Sequence, residues 1–179
     1  VAVSAGVGEL ILPGVAIWAQ APEKVLAARR TWIDDNATSV AGLMRAVSRA
    51  ARWLDQPDNR VLAIEILVRS GRFATRQDGP PVHVPEFVRF YDRSTNFPWR
   101  SQAAWIGAQI SALTGIDTAH AIEVAMGTMR PDSYRMHLGP MGVDMPGASA
   151  KVEGALAHAT AVASTRGEMI LGPDAFFDG

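Results

Sequence analysis

A helix-dominated α/β architecture with few short strands is what this 179-residue sequence predicts. Three observations lead there. Apolar residues recur at helical spacing in segment after segment, several of them opened by proline (Pro22, Pro57, Pro98, Pro131), which suits the first turn of a helix. Strand-like runs are few and short, too few for a parallel sheet of their own. No apolar run approaches the roughly 20 residues of a membrane span. An α/β protein lacking its strand-rich half would show this pattern. The chain reads as one unit with a strand-and-turn segment over 1–20, a helical region over 22–130 and an irregular tail over 139–179.

Taken in order, Glu9-Leu10-Ile11-Leu12 closed by Pro13-Gly14 reads as a strand and turn. Pro22 opens a helix to about Asp35, with Val25, Leu26, Arg29, Trp32 and Ile33 on one face and Glu23 in the first turn. Asn36 breaks it. Thr38 or Ser39 caps a second helix to about Asp55, with Val40, Leu43, Met44, Val47 and Leu54 inward. Pro57-Asp58 opens a third through Arg69, ending near Gly71. Three prolines and a glycine make 76–85 a loop, and Phe87–Tyr91 is a strand or an irregular packed segment. Pro98 at a first helical position starts a helix over Phe97–Thr114, whose apolar stripe is Ala103, Ile106, Gly107, Ile110 and Leu113. Helices over about Asp117–Met129 and from Pro131-Asp132 follow. From Leu138 the composition turns to Gly, Pro, Ala and Ser.

Composition excludes several functions. Seventeen basic residues face eighteen acidic ones, a net charge of −1, so nothing invites direct nucleic-acid binding. The chain has no cysteine, hence no disulfide, thiolate metal site or cysteine nucleophile. His83, His120, His137 and His158 lack ligand spacing, and no metal site is expected. There is no Gly-x-Ser-x-Gly elbow, no dinucleotide fingerprint and no Walker lysine motif, so the sequence supports no enzyme and calls for no cofactor. Val1–Leu12 carries Glu9 and no basic leader, which is not a secretory signal. The chain reads as a piece of a longer protein.

Two segments stand out from this background. Arg45, Arg49 and Arg52 fall at i, i+4 and i+7, a stripe that is either a solvated face or a surface for an anion or a partner. In Ala16–Lys24, Trp18 lies just before the expected helix start and Lys24 within its first turn. A helix start offers unpaired N–H groups and partial positive charge to a small anion. A lysine there opposes the dipole, and such local violations cluster at functional sites. The competing reading is a solvent-exposed lysine of no consequence. Of the seventeen basic residues only Lys24 and Lys151 are lysines.

Trp18 followed by Pro22-Glu23-Lys24-Val25-Leu26, then Trp53-Leu54-Asp55, Asn96-Phe97-Pro98 with Arg100-Ser101 and Trp105, and the closing Gly172–Gly179 together resemble the C-terminal portion of the nitrate/nitrite (bicarbonate)-binding proteins of bacterial ABC transporters. The resemblance runs over most of the chain and rests on order and spacing, since no one motif is diagnostic. It implies a helix-dominated C-terminal part of a two-lobed, type II periplasmic-binding-protein-like fold that holds an anion between its lobes without catalysis. Some relatives are membrane-associated periplasmic receptors that partner a transporter permease. Others are cytoplasmic nitrate sensors that release an RNA-binding antiterminator. Lys24 matches the lysine that contacts the anion in nitrate-type relatives, where bicarbonate-type relatives place an acidic residue with calcium, and Trp18 would wall the cleft. The Arg45/Arg49/Arg52 stripe would serve as a partner face. Two departures accompany the likeness. The usual Arg-Trp-Gly after the helix glutamine is replaced by Ile110–Gly115, and the family's other anion contacts come from an N-terminal half that this chain does not contain. A lobe without its companion would expose apolar surface and tend to self-associate. A rival expectation is a helical interaction domain with no small ligand.

Overall fold

The computed structural model describes residues 5–71, 89–92 and 94–177. The loop expected over 76–85, with His83, lies outside them, as does the first part of Phe87–Tyr91, whose described remainder is irregular. Six α-helices are seen among the described residues: α1 (Arg30–Asp35), α2 (Ala37–Leu54), α3 (Arg60–Arg69), α4 (Arg100–Thr114), α5 (Thr118–Thr128) and α6 (Pro131–Leu138). One antiparallel hairpin follows, β1 (Thr160–Ser164) with β2 (Gly167–Leu171), in the register Thr160↔Leu171 to Ser164↔Gly167. The described residues are helix-rich with two strands, and no described helix is long and apolar enough to cross a membrane.

Three helices start where proline or its neighbours dictate. Pro131 occupies the first turn of α6, where its missing N–H costs nothing. Pro57 opens a 3₁₀ turn that leads into α3. At α4 the expectation needs correcting. Pro98 lies outside the helix, and Trp99 is the N-cap with φ −65° and ψ 124°. Phe97 and Trp99 leave the helix for the core, and the Arg100 N–H is taken by Ser149 O at 2.9 Å.

The N-terminal elements fall short of expectation. No strand forms at Glu9–Leu12, where Ile11 is 90% exposed. The helix expected from Pro22 begins only at Arg30. Both corrections have one cause. An amphipathic segment gains its stability by burying its apolar face, and Leu10, Val25 and Leu26 stay exposed among the described residues. The expected cap of α2 also moves, to Asn36, without a side-chain hydrogen bond. Within α2 the side covered by the fold centres on Ser48 and Ala51, so Leu43 and Val47 stay exposed.

Helices α4 and α5 make the closest pairing. Gly115, at φ 74°, ends α4, and Asp117 caps α5 by accepting the His120 N–H at 2.8 Å, the pairing of devices expected at a tight helix-to-helix turn. Ser111 Oγ donates to Ile116 O at 2.7 Å and lies 2.7 Å from Thr118 Oγ1. The buried stripe of α4 is Ala103, Gly107 and Ser111. Ile110 and Leu113, expected inward, are exposed, Leu113 by 87%. Small residues win that face because the helices approach too closely for large ones: a Cβ on Gly107 would stand 2.7 Å from Ala121 O and 2.9 Å from Ala125 Cβ.

The core sits where the sequence suggested least order. Met145, Met169 and Leu171, all from the segment expected to be an irregular tail, pack with Phe97 and Trp99 and are flanked by Tyr134, Val143, Leu156 and Val162. Phe97 meets Trp99 and Tyr134 edge-on at 4.9 and 5.5 Å, the arrangement aromatic quadrupoles favour. Arg135 stacks over Phe97 at 4.8 Å and donates to Pro146 O, Gly147 O and Ala148 O and to Ser149 Oγ. One guanidinium thereby fastens the 146–149 loop to α6.

Asp144 fastens the turn of the hairpin. Its carboxylate accepts from the Ser164 and Thr165 hydroxyls and from the Arg166 and Met145 N–H groups. Burial pushes its pKa up, but these hydrogen bonds together outweigh burial and hold it below the ordinary carboxylate value. A depressed folded pKa gives stability that is present above the unfolded value of about 3.9 and is lost as pH falls through the folded one. Acid unfolding of the wild type below about pH 4 should therefore be steeper than that of Asp144→Asn. Superimposable stability–pH curves below that point would remove the carboxylate from this role.

Candidate functional site

Of the residues singled out in the sequence, Trp18 is the best anchored. A short 3₁₀ turn (Gly14–Ala16) precedes it, and the backbone then pairs antiparallel with the chain's last segment through an isolated bridge between Trp18 and Phe176. Ala19 N–H donates to Ala175 O at 3.2 Å, Phe177 N–H to Ile17 O at 2.9 Å, and Gln20 Nε2 to Pro173 O at 3.0 Å. The Trp18 ring lies 5.0 Å from Trp105 of α4 and 4.9 Å from Phe176, and Trp105 stacks on Phe176 at 5.8 Å. Trp18 is 4% exposed, and its buried Nε1–H has no hydrogen-bond partner among the described residues.

Lys24 sits six residues on, in backbone without regular structure. Its side chain is 84% exposed and pairs at 2.6 Å with neighbouring Glu23, an exposed ion pair that exchanges readily for another partner. The helix N-terminus invoked to favour an anion beside it is absent, since α1 begins at Arg30. Trp18 and Lys24 thus share a segment, one held firmly and the other out in solvent. On α2, Arg45 is half-buried while Arg49 and Arg52 are exposed. All three lie on the one helix.

A buried charged cluster behind the aromatic group escaped the sequence reading. Lys151 Nζ pairs with Asp174 Oδ2 and, at 2.5 Å, with Glu153 Oε2. Asp174 is 1% exposed and also accepts the Leu156 N–H at 2.9 Å. Ser101 Oγ, from the first turn of α4, donates to Glu153 Oε1 at 2.6 Å and accepts the Lys151 N–H at 3.0 Å. The ammonium also lies 5.9 Å from the Trp99 ring. Burial of one cation between two carboxylates is tolerable only because every oxygen has a donor. The rarity of lysine in this arginine-rich chain was the available signal, for Lys24 and Lys151 are its two lysines.

Two hollows among the described residues bear on the site. One of about 200 Å³ is lined by Trp99, Pro146, Lys151, Val162 and Leu171 among others. The other, about 570 Å³, lies between α1 and α5 and is lined by Arg30, Ile33, His120, Glu123 and Arg130 among others. Neither Trp18 nor Lys24 lines either of them. Arg130 is engaged by Asp132, whose hydrogen bond from the guanidinium lowers the carboxyl to about 2.

Comparison with known proteins finds matches to part of the chain. Residues 1–68 match the model of the NMT1-like family. The chain is 35% identical over 65 residues to the nitrate/nitrite binding protein NrtA of Synechocystis sp. (strain ATCC 27184 / PCC 6803 / Kazusa), covering 36% of this chain and 15% of that protein. Against NrtA of Synechococcus elongatus the identity is 27% over 104 residues, 50% of this chain and 24% of that protein. Over part of its length the chain is similar to the nitrate/bicarbonate substrate-binding protein family. It is also 27% identical over 149 residues to the Synechocystis nitrate import ATP-binding protein NrtC, covering 74% of this chain and 22% of that protein. The chain thus spans about a fifth of the first of these relatives. No solved structure matches it. The matched stretch, residues 1–68, includes Trp18, Lys24 and Arg45, Arg49 and Arg52.

Proposed function

We propose that this chain is part of a non-catalytic receptor for a small oxyanion of the nitrate/nitrite class, acting in an ABC import system, with a two-lobed, type II periplasmic-binding-protein-like fold when complete. The observation that carries the reading is that the family match falls on the segment bearing Trp18 and Lys24, and that relatives matching this chain are named for nitrate and nitrite binding. Lys24 supplies a charge-assisted hydrogen bond to the anion, exchanging its exposed partner Glu23 for the ligand. Trp18 supplies an aromatic wall. The exposed arginines of α2 are the face offered to a permease. Import is favoured over the antiterminator-linked sensor, because the relatives' names include import components.

The longest match favours a second reading in which the same anion-binding module is attached to an import ATPase. This chain holds no Gly-x-x-x-x-Gly-Lys phosphate loop, so that likeness is not carried by ATP-binding residues. ATP hydrolysis by the intact protein would select the second reading.

Calorimetric titration of the intact receptor with nitrate, using chloride and bicarbonate as controls, tests the proposal. Saturable heat selective for nitrate or nitrite is expected. Equal heats from chloride would overturn it. Lys24→Glu should abolish the nitrate heat, since it places like charge against the ligand. Unchanged affinity in that variant would remove Lys24 from the site.

A further inference from the structure

The structure assigns a second role to the aromatic cluster: the Trp18 Nε1–H is a hydrogen-bond donor to the bound oxyanion, and the Phe176 ring is a cover over it that moves aside when the anion enters. This inference rests on the oxyanion-receptor reading. Its starting point is the unpartnered Trp18 N–H, buried within a residue only 4% exposed. Buried donors are almost always paired, and each exception calls for a physical explanation. An indole N–H donates and cannot accept, so what completes it must be an acceptor, and an oxyanion is a strong one.

Phe176 is the ring suited to be the mobile one. Trp105 stands on the long helix α4. Phe176 belongs to an irregular segment held at an isolated bridge, separated from the last described helix or strand, β2, by the four residues Gly172-Pro173-Asp174-Ala175. Its ring rests on the backbone of Gly154, where φ is +75° and an added Cβ would stand 2.0 Å from Phe176 Cδ2. That seat is smooth and holds the ring by contact alone. Asp174, two residues before, is pinned by Lys151 and by the Leu156 N–H, and Ala175 O and Phe177 N–H are bonded to Ala19 and Ile17, so the cover moves by rotation of the Phe176 side chain on a fixed backbone. A cover of this kind lowers apparent affinity by the fraction of time it is shut, so weakening the cover strengthens binding.

The test follows the five indole N–H signals of protein labelled with ¹⁵N, the Trp18 signal being assigned by its loss in Trp18→Phe. Nitrate should move the Trp18 signal downfield and saturably, and Trp18→Phe, which keeps a ring and deletes the donor, should weaken nitrate binding about tenfold or more. Phe176→Ala should speed solvent exchange of the Trp18 N–H and tighten nitrate binding, with Phe176→Leu as the milder variant should the first fail to fold. Saturable shifts elsewhere with the Trp18 signal unmoved would overturn this inference and leave the receptor reading intact. Unchanged affinity in both Phe176 variants would overturn the cover. No shift anywhere on adding nitrate would overturn the receptor reading, and this inference with it.

Discussion

Lys151→Met should lower the unfolding free energy by about 3 kcal/mol, the low end of what breaking a buried ion pair costs. The substitution keeps the length of the side chain and removes its charge. Asp174 and Glu153 are then left as two buried carboxylates with no cation between them. The low end applies because the Lys151 side chain is 16% exposed, enough for water to relieve part of the penalty. Urea unfolding gives the number directly. Against a typical domain stability of about 5–15 kcal/mol this is a large share. A second variant, Asp174→Asn, closes a double-mutant cycle with the first, and coupling well above the ~0.5 kcal/mol seen for independent sites is expected. A loss below about 1 kcal/mol would put the pair among surface ion pairs and end its claim to hold the C-terminal segment in place.

Gly107→Val should cost about 3 kcal/mol, at the upper end of what overpacking does. The first atom of any side chain at this position meets the Ala121 carbonyl at 2.7 Å and Ala125 Cβ at 2.9 Å, so α4 and α5 must separate to admit it. Helix propensity argues the other way, since replacing a mid-helix glycine by alanine gains up to ~1 kcal/mol. A control separates the two effects. Gly127 lies in α5 with nothing within 4 Å of an added Cβ, so Gly127→Ala should stabilise while Gly107→Ala destabilises. If thermal melts moved the two alanine variants in the same direction, close helix approach would not be what fixes glycine at 107.

What could be read from the sequence followed the local nature of each signal. α5 and α6 were legible nearly to the residue, because Asp117 caps the one and Pro131 opens the other through atoms within a turn of the helix start. α3 was legible for the same reason, with Pro57 before it and Gly71, at φ 69°, after it. The helix over Pro22–Arg29 was not, because its apolar residues promised a face that none of the described residues covers. The stripe of α4 misled in a subtler way. Ile110 and Leu113 recur at helical spacing, but spacing does not say which side another helix will approach, and α5 approaches the side of Ala103, Gly107 and Ser111.

The candidate site divides along the same line. Trp18 and Lys24 were visible as residues out of place in a local pattern, and the arginine stripe of α2 is legible because i, i+4 and i+7 are neighbours on any helix. The partners of Trp18 lie far along the chain. Trp105 is 87 positions away and Phe176 is 158 (105 − 18 and 176 − 18). No spacing rule links such residues. Asp174 and Lys151, or Arg135 and the 146–149 carbonyls, are likewise joined only once the chain has closed on itself.

By itself, the sequence determined where most helices begin and end, that the chain is rich in helix, and which family its first 68 residues match. Caps, prolines and periodicity act within a few residues, and so leave a local record. Tertiary structure alone decided that the Gly- and Pro-rich segment after Leu138 would supply much of the core, that Trp18 would be clasped by the chain's far end with its N–H unpaired, and that Lys24 would stand free of any helix. Those outcomes depend on which surfaces meet, and burial is a property of the folded pair rather than of either residue.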